Sequence, residues 1–329
     1  MVHIRSFFVP LIAGSLIIAS CTAGSGISLR ASTPACLSPR ELLPFAFSPD
    51  SSQLAVREVQ GVQFFDISTG REVLELAAPR NILSAALAPD GDVVAWSLDD
   101  NSIQLVQVSD GSILHTLIAH PGLVFDLRFS PTGSSLFSAS HDGTVKVWDT
   151  DTGSALPQIE VGFEVLGIGV SPDGETLAVV PAYGPVQLWS ITPGQLTATL
   201  GGTGGYDTSD PVFSPDGQYL AVDLATGIFI WNLSSGQEIW STVANSMAVA
   251  YSPNGKFLAY ADVDEGNKIF LGPAGTLTNF QILDQMQGPV WELLFSPDSS
   301  LLAATDGIEI RIWRVSDGSL VAIGQSSCQ

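Results

Sequence analysis

The sequence predicts an all-β fold, a seven-bladed β-propeller of four-stranded antiparallel blades, because two turn signals recur through it with one period. The first is an apolar residue followed by Ser or Ala, Pro and a short polar pair. It is anchored at Phe47, Leu87, Phe129, Val170, Phe213, Tyr251 and Phe295, at spacings of 38 to 44 residues. The second is a glycine just after an apolar run, at Gly70, Gly111, Gly153, Gly194, Gly236, Gly275 and Gly318, spaced by 39 to 43 residues. A unit near 40 residues accommodates several short strands, and one such sheet cannot bury both faces without neighbours, so the units close on one another.

Residues 1–20 carry Arg5 and an apolar run from Phe7 to Ala19. The run is shorter than a bilayer span and ends in small residues, which predicts an export signal rather than a membrane helix. The tetrad Ile18, Ala19, Ser20 and Cys21 resembles the lipobox of bacterial lipoproteins. That resemblance implies acylation of Cys21, membrane contact through the N-terminal lipid, and a place on the periplasmic or extracellular side of a bacterial cell envelope. An ordinary signal peptide cleaved nearby is the alternative. Residues 21–35, rich in Ser, Gly, Ala and Thr, are expected to form a flexible tether, with the propeller over residues 36–329.

Cys36 and Cys328 bracket the repeats. A ring brings its ends together, so these two are candidates for a disulfide clamping first and last blades, contributing about 5 kcal/mol in the loop-entropy picture. Two free thiols are the other reading. The chain holds 33 acidic residues against 12 basic ones, a formal charge of −21. Nucleic-acid binding needs a basic stripe, and this balance argues against it, as it does against attraction to anionic lipid heads.

The third unit shows how each blade is built. Leu123 to Phe129 alternates into an inner strand, Ser130-Pro131-Thr132-Gly133 turns, and Ser135 to Ser140 forms the second strand. His141-Asp142-Gly143 leads to a third strand, Thr144 to Asp149, and Ala155 to Val161 supplies the outer one. Ala119-His120 and the stretch HDGTVKVWD, ending in Trp148 and Asp149, resemble the WD40-repeat family at its Gly-His and Trp-Asp positions. The resemblance implies a hydrogen-bonded chain of His120, Ser138, Asp142 and Trp148 whose role is structural. The other units keep only fragments of it, such as Phe64-Phe65-Asp66 and Ile312-Trp313-Arg314.

Chemical motifs are sparse. There is no nucleophile elbow, no His-Glu-x-x-His and no P-loop, so no catalytic residue, metal ligand or cofactor site is expected. A ring of large residues stands four positions before each anchor: Leu43, Leu83, Phe125, Leu166, Met247 and Trp291, with Ser209 as the exception. In WD40 proteins this rim, together with the residue before the turn Asp (here His141), is where partners dock. Packing between adjacent blades is the other reading of the same residues.

The expected function is therefore that of a monomeric, lipid-anchored, non-enzymatic platform binding a protein partner, with no cofactor and no nucleic acid. An enzyme or small-ligand binder using the central channel is a second class, which would need convergent polar residues where the sequence suggests mainly apolar ones. An accessory to outer-membrane assembly is a third.

Overall fold

The computed structural model describes residues 27–30, 43–202, 210–224, 226–242, 248–283 and 286–325. Seven antiparallel sheets follow one another along the chain, each a simple meander of four strands, with no helix among the described residues. In blade 3 the strands are Val124–Phe129, Ser135–Ser140, Thr144–Asp149 and Ala155–Glu160. The second strand of each blade is buried almost throughout because both of its faces meet a neighbouring sheet, while the outer strands alternate or are fully exposed. The core is accordingly split into seven layers between blades. Phe137, Val147 and Ile159 of blade 3 pack on Val165, Ile168 and Leu177 of blade 4, and equivalent layers recur around the ring. Each such side chain, once fully buried, contributes about 1.5–3 kcal/mol.

The Ser-Pro-Asp turns explain their own recurrence. In blade 1 the Ser48 hydroxyl donates to Asp50 Oδ1 at 2.6 Å and accepts from the Gln53 amide at 2.9 Å, and the Asp50 carboxylate accepts the Ser52 amide at 3.0 Å. The same arrangement is repeated at Ser171, Ser214, Ser252 and Ser296. Hydrogen bonds from Ser48 and Ser52 hold Asp50 down to about 2. The fourth residue of the turn takes a left-handed backbone, as at Gly91 and Gly174. In blades 1 and 7 that place falls to Ser51 and Ser299, whose hydroxyls are used between blades. Ser51 Oγ accepts the Asp298 amide at 3.2 Å, and Ser299 Oγ accepts the Asn254 amide at 3.0 Å.

The first of these bonds joins the two ends of the ring. Beside it, Phe47, Leu54, Val56 and Phe65 of blade 1 pack on Ala303, Ile310 and Ile312 of blade 7. A fifth strand, Ile27–Arg30, adds in parallel to the outer strand Leu320–Gln325 of blade 7, with Ile27 opposite Ala322 and Arg30 opposite Gln325. This strand lies inside the stretch expected to be a loose tether. The last blade does keep its own outer strand, and the N-terminal segment supplements it rather than exchanging with it.

Blade 6 departs most from the pattern. Its outer strand, Gln281–Ile282, has two residues, and its turn bends at Leu277 and Asn279, which adopt positive φ, whereas Gly275 does not. A cluster of Trp240, Tyr260, Phe270 and Phe280, with ring centroids 4.8 to 6.3 Å apart, covers the shortened edge.

Candidate functional site

Blade 3 brings His120, Ser138, Asp142 and Trp148 into one buried chain. His120 Nδ1 lies 2.8 Å from Asp142 Oδ2, His120 Nε2 lies 2.8 Å from Ser138 Oγ, and the Trp148 indole donates to Ser138 Oγ at 3.0 Å. An ionised carboxylate only accepts, so His120 donates from Nδ1 and takes the Ser138 proton at Nε2. Burial lowers the His120 pKa against the opposing pull of Asp142, keeping the ring neutral. Ser138 is fully buried, enclosed within the sheet. The group ties two strands, the turn between them and the preceding loop together, and every polar member is satisfied.

The apolar ring sits where the inner strands begin. Leu43, Leu83, Phe125 and Trp291 are half-buried and line the mouth of the central channel. Leu166 is also half-buried but is not part of that wall, while Met247 and Ser209 lie outside the described residues. The His141 ring rests on Phe125, centroids 4.0 Å apart.

The same face carries exposed apolar side chains, Leu123, Phe163 and Tyr183, 38, 51 and 60 % exposed; Leu123, expected to open the inner strand, stands just before it, and the other two carry no sequence signal. They stand on successive loops tied to one another by backbone hydrogen bonds. The His141 amide donates to the Leu123 carbonyl at 3.1 Å, Gly162 to Gly143 at 3.1 Å, and Ala182 to Glu164 at 2.8 Å. Strand alternation does not reach into loops, so only the placement of those loops reveals the patch.

Within the channel the structure corrects the expectation of a mainly apolar wall. Asp126, Arg128, Asp210, Glu292 and Arg57 all face a cavity of about 640 Å³. Arg128 pairs with Asp126 at 3.1 Å and with Asp210, and Asp126 Oδ2 accepts the Ile168 amide at 2.9 Å. Burial raises the Asp126 pKa against the pull of Arg128. The Arg128 side chain reaches from blade 3 to blade 5 across the inner strand of blade 4, which carries Gly167 and Gly169 there. A Cβ on Gly167 would lie 2.6 Å from Asp210 Oδ1, so the missing side chain makes room for the bridge. Glu292, from blade 7, is pushed up to about 8 by burial and by Asp210, with Arg128 and Arg57 opposing. Asp126 and Arg128 alternate on the inner strand of blade 3, Glu292 opens that of blade 7, Asp210 stands just before that of blade 5 and Arg57 comes from the second strand of blade 1, and only ring closure makes them neighbours. The acidic turn Asp262 to Asn267 is closed by its own contacts, Glu265 amide to Asp262 Oδ1 at 3.1 Å and Lys268 to Glu265 at 2.9 Å. No group able to hold a metal ion occurs among the described residues.

Known proteins fit this architecture. Residues 111–149 match the WD domain, G-beta repeat. Over 201 residues the chain is 29 % identical to COMPASS component SWD3 of Saccharomyces cerevisiae, covering 57 % of this chain and 64 % of that protein. It is 32 % identical over 136 residues to the Periodic tryptophan protein 2 homolog of Schizosaccharomyces pombe, with 40 % and 16 % covered. Identity to the U3 small nucleolar RNA-associated protein 21 homolog of the same yeast is 28 % over 169 residues, with 50 % and 19 % covered. The match thus spans less than two thirds of each of these relatives. They are eukaryotic proteins, one named for COMPASS and one for a small nucleolar RNA, which contradicts the expected place on a bacterial cell envelope. That expectation rested on the four residues ending at Cys21, a short signal that also occurs by composition alone. Cys21, Cys36 and Cys328 lie outside the described residues.

Proposed function

We propose that the protein is a monomeric, non-enzymatic platform that binds a protein partner through the loop face. The observation that carries this reading is the run of adjoining loops presenting Leu123, Phe163 and Tyr183 beside the Phe125–His141 pair. Exposed apolar side chains on loops pinned to one another by backbone hydrogen bonds lose little freedom on docking, and aromatic anchors dominate interface energetics. A relative named as a component of COMPASS agrees with a role in assemblies. In a pull-down with the full chain as bait, the double variant Phe163→Ser, Tyr183→Ser should weaken capture of its stoichiometric partner by about thirtyfold or more, with an unchanged melting curve. Ile118→Ser, on the outer edge of blade 2, should leave capture intact. Equal capture by both variants would refute the assignment of this face.

Two covalent features belong to the proposal on sequence grounds: acylation of Cys21 and a Cys36–Cys328 disulfide. Intact mass of the protein purified from its source, before and after reduction and alkylation, tests both. An unmodified Cys21 or two thiols alkylated without reduction would remove them.

A further inference from the structure

The channel wall divides by chemistry. Asp126 and Asp210 share the Arg128 guanidinium, and Arg57 Nη1 donates to the Ile82 carbonyl at 2.9 Å. Glu292 faces the same cavity, and no described residue donates a hydrogen bond to its carboxyl group. Phe125, Tyr251 and Trp291 line the cavity as well. Its volume, about 640 Å³, is that of a pocket for a small organic molecule. The carboxylates are too dispersed to chelate a metal ion, since the described residues contain no such group. Counted fully ionised, the three carboxyls of the wall, Asp126, Asp210 and Glu292, outnumber its two guanidiniums, Arg128 and Arg57, by one, and the same cavity offers aromatic and aliphatic surface to the apolar body of a guest.

We propose that the central channel is a binding site for a small organic monocation, an ammonium group on an apolar body, whose charge pairs with the Glu292 carboxylate. The site shares Phe125 with the loop face but does not rest on partner docking there. Burial and the Asp210 charge hold the empty site's Glu292 up to about 8, so at neutral pH the group is mostly protonated. Entry of the cation supplies the missing counter-charge. The Glu292 proton then passes to solvent as the carboxylate–ammonium pair forms, and charge is conserved. The other titratable groups on the wall are Asp126, Arg128, Asp210 and Arg57, engaged as described, and Tyr251, whose phenol burial pushes further up and keeps neutral.

Titration calorimetry of the full chain with tryptamine, and with its neutral counterpart tryptophol, tests this. Tryptamine should bind once per chain, and tryptophol about tenfold or more weakly. Tryptamine affinity should rise by one to two orders of magnitude between about pH 6 and about pH 9, as Glu292 ionises. Near neutral pH the measured heat should depend on the buffer's ionisation enthalpy, showing close to one proton released. Glu292→Gln should melt like the wild type at about pH 6, lose the pH dependence and bind tryptamine about tenfold or more weakly. Absence of tryptamine binding to the wild type, equal binding of tryptophol, or an unchanged pH dependence in the variant would each overturn the proposal. If Glu292→Gln does not fold, the tryptophol comparison and the wild-type pH series decide it.

Discussion

Gly169→Ala is expected to lower stability by about 3 kcal/mol or more and the melting temperature by on the order of 10 °C. The added methyl would fall inside the van der Waals shell of the Pro211 carbonyl oxygen, and that atom belongs to the backbone entering the next blade. A flexible side chain could swing aside, but a carbonyl in a packed inner strand moves only if the blade moves. Because blades 4 and 5 share the layer of Val180, Leu188, Phe213 and Leu220, the displacement would also loosen that core. Gly275→Ala is the control: no atom lies within 4 Å of its ideal Cβ, so its melt should stay within about 0.5 kcal/mol of wild type. Comparable melts for the two variants, measured by differential scanning calorimetry, would show that the blade 4 and blade 5 strands are less tightly opposed than described.

Arg128→Met should destabilise by about 3–5 kcal/mol at neutral pH, because it leaves Asp126, only 3 % exposed, without its cation. The sign of the pH dependence follows from the direction of the Asp126 shift. Burial already raises this carboxyl above its ordinary value, and losing Arg128 raises it further. A group whose folded-state pKa is raised gives its stabilising contribution below the unfolded value and loses it as pH rises toward the folded one. The deficit of Arg128→Met should therefore widen as pH rises and narrow as pH falls through the raised range in which Asp126 takes up a proton. Urea unfolding at several pH values reads this directly. A deficit independent of pH would mean that lost packing of the arginine stem, not the stranded charge, sets the cost.

How much of this was visible beforehand differs by feature. The Ser-Pro-Asp turns could be read as blade punctuation because their hydrogen bonds are local, Ser48 to Asp50 and to Gln53, and every residue involved lies within six positions. The His120, Ser138, Asp142 and Trp148 group was legible for the same reason: one blade contains all four. The Arg128–Asp210 pair was not, since 82 residues and a whole intervening blade separate its members. Alternation marks Asp126, Arg128 and Glu292 as facing one side of their two strands, yet nothing along the chain says that these sides converge on one channel. Phe163 and Tyr183 escaped because loops have no periodicity, and Leu123 reads as part of the alternation of the strand that starts one residue later. The parallel strand Ile27–Arg30 escaped because a Ser- and Gly-rich stretch has the composition of a linker, and only the open edge of blade 7 makes four of its residues a strand.

That edge strand also settles an orientation. Running parallel to Leu320–Gln325, it begins beside the end of the disc that carries the Ser-Pro-Asp turns and points toward the end that carries Phe163 and Tyr183. Ile27 consequently lies at the circumference on the side of the Ser-Pro-Asp turns. A load hung there would neither plug the pore nor shade the hydrophobic loops, and the molecule would present those loops outward like the open palm of a hand held by the wrist.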